Sequence, residues 1–186
     1  MRWQFTDKLE LLQPWQSLRG TKAVSLEEYC LCEPLGREGV LPESIVIECC
    51  VHVAQWLVAR SSGFRLTCEL EAIDAFRFTG EAARGEVIAI DVNATPDFQE
   101  DVAGGRLHAR CSVSCEDVAG GRLHARCSVS CIDGFSRIDG FNRIDGFSRS
   151  DRLIAEGGLC VRLLPLAGYL DRETTEAMWR ELHGET

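Results

Sequence analysis

Residues 39–58 read "GVLPESIVIECCVHVAQWLV". The stretch is apolar almost throughout, yet Glu48 and His52 stand in it four residues apart. Pro42 suits the first turn of a helix, and Glu43 beside it favours the positive end of the helix dipole. The pattern predicts a helix from about Pro42 to Arg60, stopped by Ser61-Ser62-Gly63. A lone carboxylate in such a core helix is costly unless it is paired or wet. Glu48 therefore needs an explanation. Side chains four and seven residues apart lie on one helical face, so His52 and Gln55 share the face of Glu48.

On either side of this helix the sequence changes character. Residues 1–20 mix Trp, Phe and Leu with charges, and "RGTK" at 19–22 reads as a turn. "KAVSLEEYCLC" at 22–32 has strand character, and "EPLGREG" at 33–39 reads as a loop. After the helix, strands are expected at 65–80, 85–96, 105–115 and 152–166. A short last helix at 171–184 begins with Asp171, suited to capping, and stops at Gly184. One long helix followed by long strands, with no helices between them, predicts an antiparallel sheet packed on that helix, an α+β architecture. Residues 1–170 are expected to form one domain, with 171–186 as a short C-terminal helix.

The chain has 186 residues and 45% hydrophobic content, enough for one sizeable core. Its net charge is −9 and it has no basic stripe, which argues against nucleic acid as a partner. No apolar run reaches the length of a membrane span, and "MRWQFTDKLELL" lacks a signal-peptide pattern. The expectation is a cytoplasmic protein that does not enter membranes. Its ten cysteines are then buried reduced thiols rather than a disulfide framework. Cys111, Cys115, Cys127 and Cys131, with His108 and His124 nearby, invite a zinc reading. Strand alternation opposes it: Leu107, Ala109, Cys111, Val113 and Cys115 share one face, while His108 lies on the other. Neither a metal nor any other cofactor is expected. The adjacent Cys49 and Cys50 point about 100° apart on a helix, and packing thiols are the simpler reading.

"EDVAGGRLHARCSVSC" occurs twice without a mismatch, at 100–115 and 116–131, and three hexapeptides of the type "IDGFSR" fill 132–149. Solenoid repeats diverge and need several units to share a core, so this pattern points to tandem duplication. Only one "RLHARCSVSC" is expected to hold a core strand position. The duplicated insert at about 116–149 is not expected to carry function.

"KAVSLEEYCLCEPLGREGVLPESIVIE" resembles the corresponding stretch of the FabA/FabZ type of 3-hydroxyacyl-[acyl-carrier-protein] dehydratase. The resemblance rests on Val24-Ser25, Glu28, Leu41-Pro42 and "SIVIE" at 44–48, without a gap. Further on, Ile73-Asp74, Arg77-Phe78 and Gly85 match that family's pattern. The likeness covers about residues 5–95 and leaves out the final helix. It implies a hotdog fold, in which a long central helix is wrapped by an antiparallel sheet. It also implies a dimer through edge-strand pairing, action on acyl thioesters of acyl carrier protein or coenzyme A, and Glu48 at the catalytic carboxylate position. In that family a loop His takes the α proton of the 3-hydroxyacyl thioester, and the carboxylic acid protonates the leaving hydroxyl. Backbone N–H groups at the helix start polarise the thioester carbonyl.

The gapless comparison places Pro34 where the family has its His, and Glu43 where it has a glycine after Leu41-Pro42. His52 is the local replacement candidate, either as half of an acid/base pair with Glu48 or as a structural His bonded to it. Pro42, Glu43, Gln55 and Phe78 are the expected substrate-contacting residues. Three functions follow: a re-tooled dehydratase, a thioesterase in which Glu48 activates water or attacks the thioester, and a non-catalytic acyl binder. The last includes a subunit that completes the site of a His-bearing partner in a heterodimer.

Overall fold

The computed structural model describes residues 5–25, 39–96, 105–116 and 152–184. Among the described residues, six strands and two helices follow one another. They are β1 (Lys8–Gln13), β2 (Ser17–Ala23), α1 (Glu43–Ser61), β3 (Leu66–Phe78), β4 (Val87–Pro96), β5 (Arg106–Glu116), β6 (Arg152–Pro165) and α2 (Arg172–His183). A single 3-10 turn, Leu166–Gly168, joins β6 to α2. The strands form one antiparallel sheet in the order β1-β2-β4-β5-β6-β3. The connection through α1 carries the chain from β2 to the far edge of the sheet, where β3 pairs with the last strand, β6.

Pro42 caps α1 with extended backbone (φ −58, ψ 142), and its carbonyl accepts from the N–H groups of Ile45 and Val46. At the other end Gly63 and Phe64 both have positive φ, and the Phe64 N–H donates to Ala59 O at 2.7 Å. Ser62 Oγ donates to Ala59 O and accepts from the Leu66 N–H, which sets the direction of β3. Ten of the nineteen α1 residues are buried, among them Val46, Val53 and Leu57. They share one core with Leu18, Ile88, Ile90, Leu107 and Val161 of the sheet. Each such aliphatic side chain contributes about 1.5–3 kcal/mol by leaving water.

The expected helix and the four strands after it lie within two residues of their observed bounds. The N-terminus requires correction. "RGTK" is not a turn but the middle of β2. Gly20 is there because the strand passes close to α1: a Cβ on it would lie 2.6 Å from Val53 Cγ2. A glycine in a strand marks such an approach as often as a turn. The actual reversal lies at residues 14–16, where Trp15 takes a φ of 58 and its N–H donates to Ser61 Oγ at 2.7 Å. Of the strand expected at 22–32, Lys22 and Ala23 belong to β2, and residues 26–32 lie outside the described residues. The first copy of the duplicated segment supplies β5, while the second copy and the hexapeptides lie outside the described residues.

The second face of the sheet is also covered at its centre. Asp91, Ser112 and Ser114 are 2–3% exposed. Asp91 is held by a two-pronged pair with Arg19, at 2.8 and 2.9 Å. This charge-assisted geometry keeps both ions solvated inside the protein.

Candidate functional site

A cavity of about 350 Å³ runs along α1. From the helix it is lined by Glu48, His52, Gln55, Trp56 and Ala59. These positions recur every three to four residues and form a single stripe, about 16 Å long at 1.5 Å per residue. Thr67 of β3 and Phe5 supply other parts of the wall. Leu166, Leu170, Thr175 and Met178 bring in the 3-10 turn and α2.

Three of the expected site residues thus meet in one cavity, but in different states. Glu48 is exposed, and it has no hydrogen-bond or ion-pair partner among the described residues. It is a carboxylate that water or a ligand can reach. His52 is partly buried and tied at both nitrogens. Trp56 Nε1, which can only donate, reaches His52 Nε2 at 3.2 Å. Nε2 is therefore the unprotonated nitrogen, and Nδ1–H donates to Thr6 Oγ1 at 3.0 Å. This is a neutral imidazole whose lone pair is already engaged. The hydrogen bond expected between His52 and Glu48 is not formed. Four residues separate them on the helix, but Thr6 and Trp56 hold the ring. Gln55 Nε2 donates to Cys68 O at 3.1 Å, fastening α1 to β3.

Pro42 and Glu43 lie at the start of α1 and do not line the cavity. Glu43 is exposed, and its side chain caps no backbone group. Phe78 is on β3 opposite Ala155 and packs on Phe76, ring centroids 5.6 Å apart, also away from the cavity. Pro34 lies outside the described residues. The helix thiols pack in the core. Cys49 and Cys50 are buried. A hydrogen bond with Cys111, reinforced by burial, pushes the Cys50 thiol well above its ordinary value. Burial does the same to Cys68.

Reasoning from sequence missed Thr6, Trp56 as a His52 donor, and the whole contribution of α2. Trp179 of α2 packs against Trp56 and Phe64, with centroids at 6.0 and 6.5 Å, and lies under the Arg60 guanidinium at 5.7 Å. The signal available was the amphipathic spacing of Thr175, Trp179 and Leu182, all three buried.

No family model matches the sequence, and no curated protein matches it. Solved structures do match. The smu.793 protein of Streptococcus mutans UA159, in a complex with acetyl CoA, aligns at a TM-score of 0.51 and 9% identity over 85% of this chain and 88% of that one. An apo-hexameric acyl-CoA thioesterase aligns at 0.51 and 11%, over 83% and 73%. The fold is hotdog. This chain spans 64% of an acyl-CoA hydrolase of Staphylococcus aureus, at a TM-score of 0.48 that is too low to bear on the fold. These likenesses give the strand order and the antiparallel sheet a precedent. At 9–11% identity they assign no residue a role. None of them singles out the dehydratase family expected from the sequence.

Proposed function

We propose that this chain hydrolyses acyl thioesters, with coenzyme A thioesters as the substrate class and Glu48 as general base. One observation carries the reading: an exposed carboxylate, without a partner among the described residues, borders a cavity that runs along α1. The likeness of the fold to a solved acyl-CoA thioesterase supports the same substrate class. Glu48 takes a proton from water as the water oxygen attacks the thioester carbonyl carbon. The tetrahedral oxyanion then collapses, the C–S bond breaks, and the thiolate leaves with the proton held by Glu48.

Dehydration is less well supported, because it needs a second group to remove the α proton. His52 does not offer one while its Nε2 accepts from Trp56. No contact among the described residues favours an acyl carrier protein or a heterodimer over a second copy of this chain. β3 is an edge strand with Glu71–Ala75 exposed, and it is the surface we assign to pairing with such a copy.

The test offers the purified protein acyl- and 3-hydroxyacyl-coenzyme A and scores free thiol against enoyl product. Thiol release is expected, falling at least ~100-fold in Glu48→Gln, the usual worth of a positioned acid/base group. Enoyl product without thiol, or thiol release that survives Glu48→Gln, would overturn the assignment.

A further inference from the structure

The geometry points to α2 as the gauge of acyl-chain length, with Met178 closing the end of the slot remote from Glu48. This rests on the thioester reading of the cavity and adds a specificity determinant to it. The Trp179 side chain of α2 sits against Trp56 and Arg60, in the C-terminal half of α1. Glu48 is at the other end of the lining stripe, ~16 Å away from Ala59 along the axis. Met178, next to Trp179, therefore faces the part of the cavity that an acyl tail reaches last.

The direction rests on position along α1: Glu48 stands at one end of the lining stripe, and Ala59, with Met178 of α2, at the other. The volume of 350 Å³ is small for a ligand pocket, which typically spans ~300–1,000 Å³. The length limit is thus set by a helix outside the region that resembles the dehydratases. Met is a flexible side chain that fills irregular gaps, so this wall is open to resizing without breaking the core.

The experiment uses the full chain with a ladder of acyl-coenzyme A substrates. In parallel, tryptophan fluorescence follows the binding of non-hydrolysable S-alkyl-coenzyme A thioethers of the same lengths. Wild type should show an upper limit of chain length. Met178→Ala should move the optimum several carbons longer, with a gain of ~10-fold or more on the longer chains. Met178→Phe should move it shorter. Opposite shifts in the two variants cannot arise from general destabilisation. An unchanged length profile in both variants, in hydrolysis and in thioether binding, would overturn the proposal. If the thioethers bind with the shifted cut-offs while no chain is hydrolysed, the thioesterase reading falls and the gauge stands.

Discussion

The two faces of α1 differ in residue type and do different work. One face sets Val46, Val53 and Leu57 into the core shared with the sheet. The other presents Glu48, His52, Gln55, Trp56 and Ala59 to a cavity that α2 and the 3-10 turn wall off. A helix covered on two sides is apolar all round, which is why residues 39–58 resemble a plain core segment. The difference lies in what each face can tolerate. The sheet face is buried among core side chains, so its residues are fixed by shape. The cavity face has volume to spare, so a carboxylate can stand there in contact with water.

If this contrast is right, changes on the sheet face cost stability and leave chemistry alone. Leu57→Ala removes a side chain with no exposed surface and should cost about 2–5 kcal/mol, measured by denaturant unfolding. The kcat/KM of the folded fraction should stay within a few-fold of wild type. A selective loss of activity would break the division between the faces. Gly20→Ala should follow, at about 1–3 kcal/mol for overpacking. The new methyl would meet Val53 Cγ2 at 2.6 Å, and a β-branched side chain has little freedom to turn away. His52→Ala, on the cavity face, should cost about 1–3 kcal/mol, because it strands the buried Trp56 N–H and the Thr6 hydroxyl. Its effect on kcat/KM should be far smaller than that of Glu48→Gln. Equal losses in both variants would restore the acid/base pair.

The core face of β5 was legible in the sequence from its alternation: Leu107, Ala109 and Cys111 share it, and all three are buried. The face of β4 was not, because Ala89 and Asp91 are buried along with Ile88, Ile90 and Val92. The carboxylate was legible because a charge in an apolar run is expensive. The N-terminal hairpin was not. Gly20 serves close packing with α1, and nothing in "RGTK" says that the residue it must make room for is Val53, thirty-three positions later. The bonding state of His52 was hidden for the same reason: Thr6 lies 46 residues away in sequence. Spacing along a helix names neighbours on that helix, and tertiary partners override it. Nor did the likeness to dehydratases extend to α2, so the cavity's outer wall could not be foreseen.

The smallest effect expected is on α2 itself, and it separates the faces by pH. Asp171 caps this helix: it accepts from the Thr174 N–H at 2.9 Å and from the Thr174 hydroxyl at 2.9 Å. These bonds, that to the backbone N–H first, hold its carboxyl below the ordinary aspartate range. A depressed carboxylate stabilises the fold above its unfolded value of about 3.9. That contribution is lost as pH falls through the lower folded value. Acidification below about pH 4 should therefore loosen the first turn of α2, a change that Asp171→Ala, which removes the cap, should bring on at neutral pH. Trp179 reports it, because its ring lies against Trp56 and Arg60. Its fluorescence should shift at a pH where the far-ultraviolet signal of the sheet is still intact. In Asp171→Ala the early shift should be absent. A single transition shared by both signals in wild type would mean that α2 and the sheet open together, and that the cavity face is as rigidly built as the face behind it.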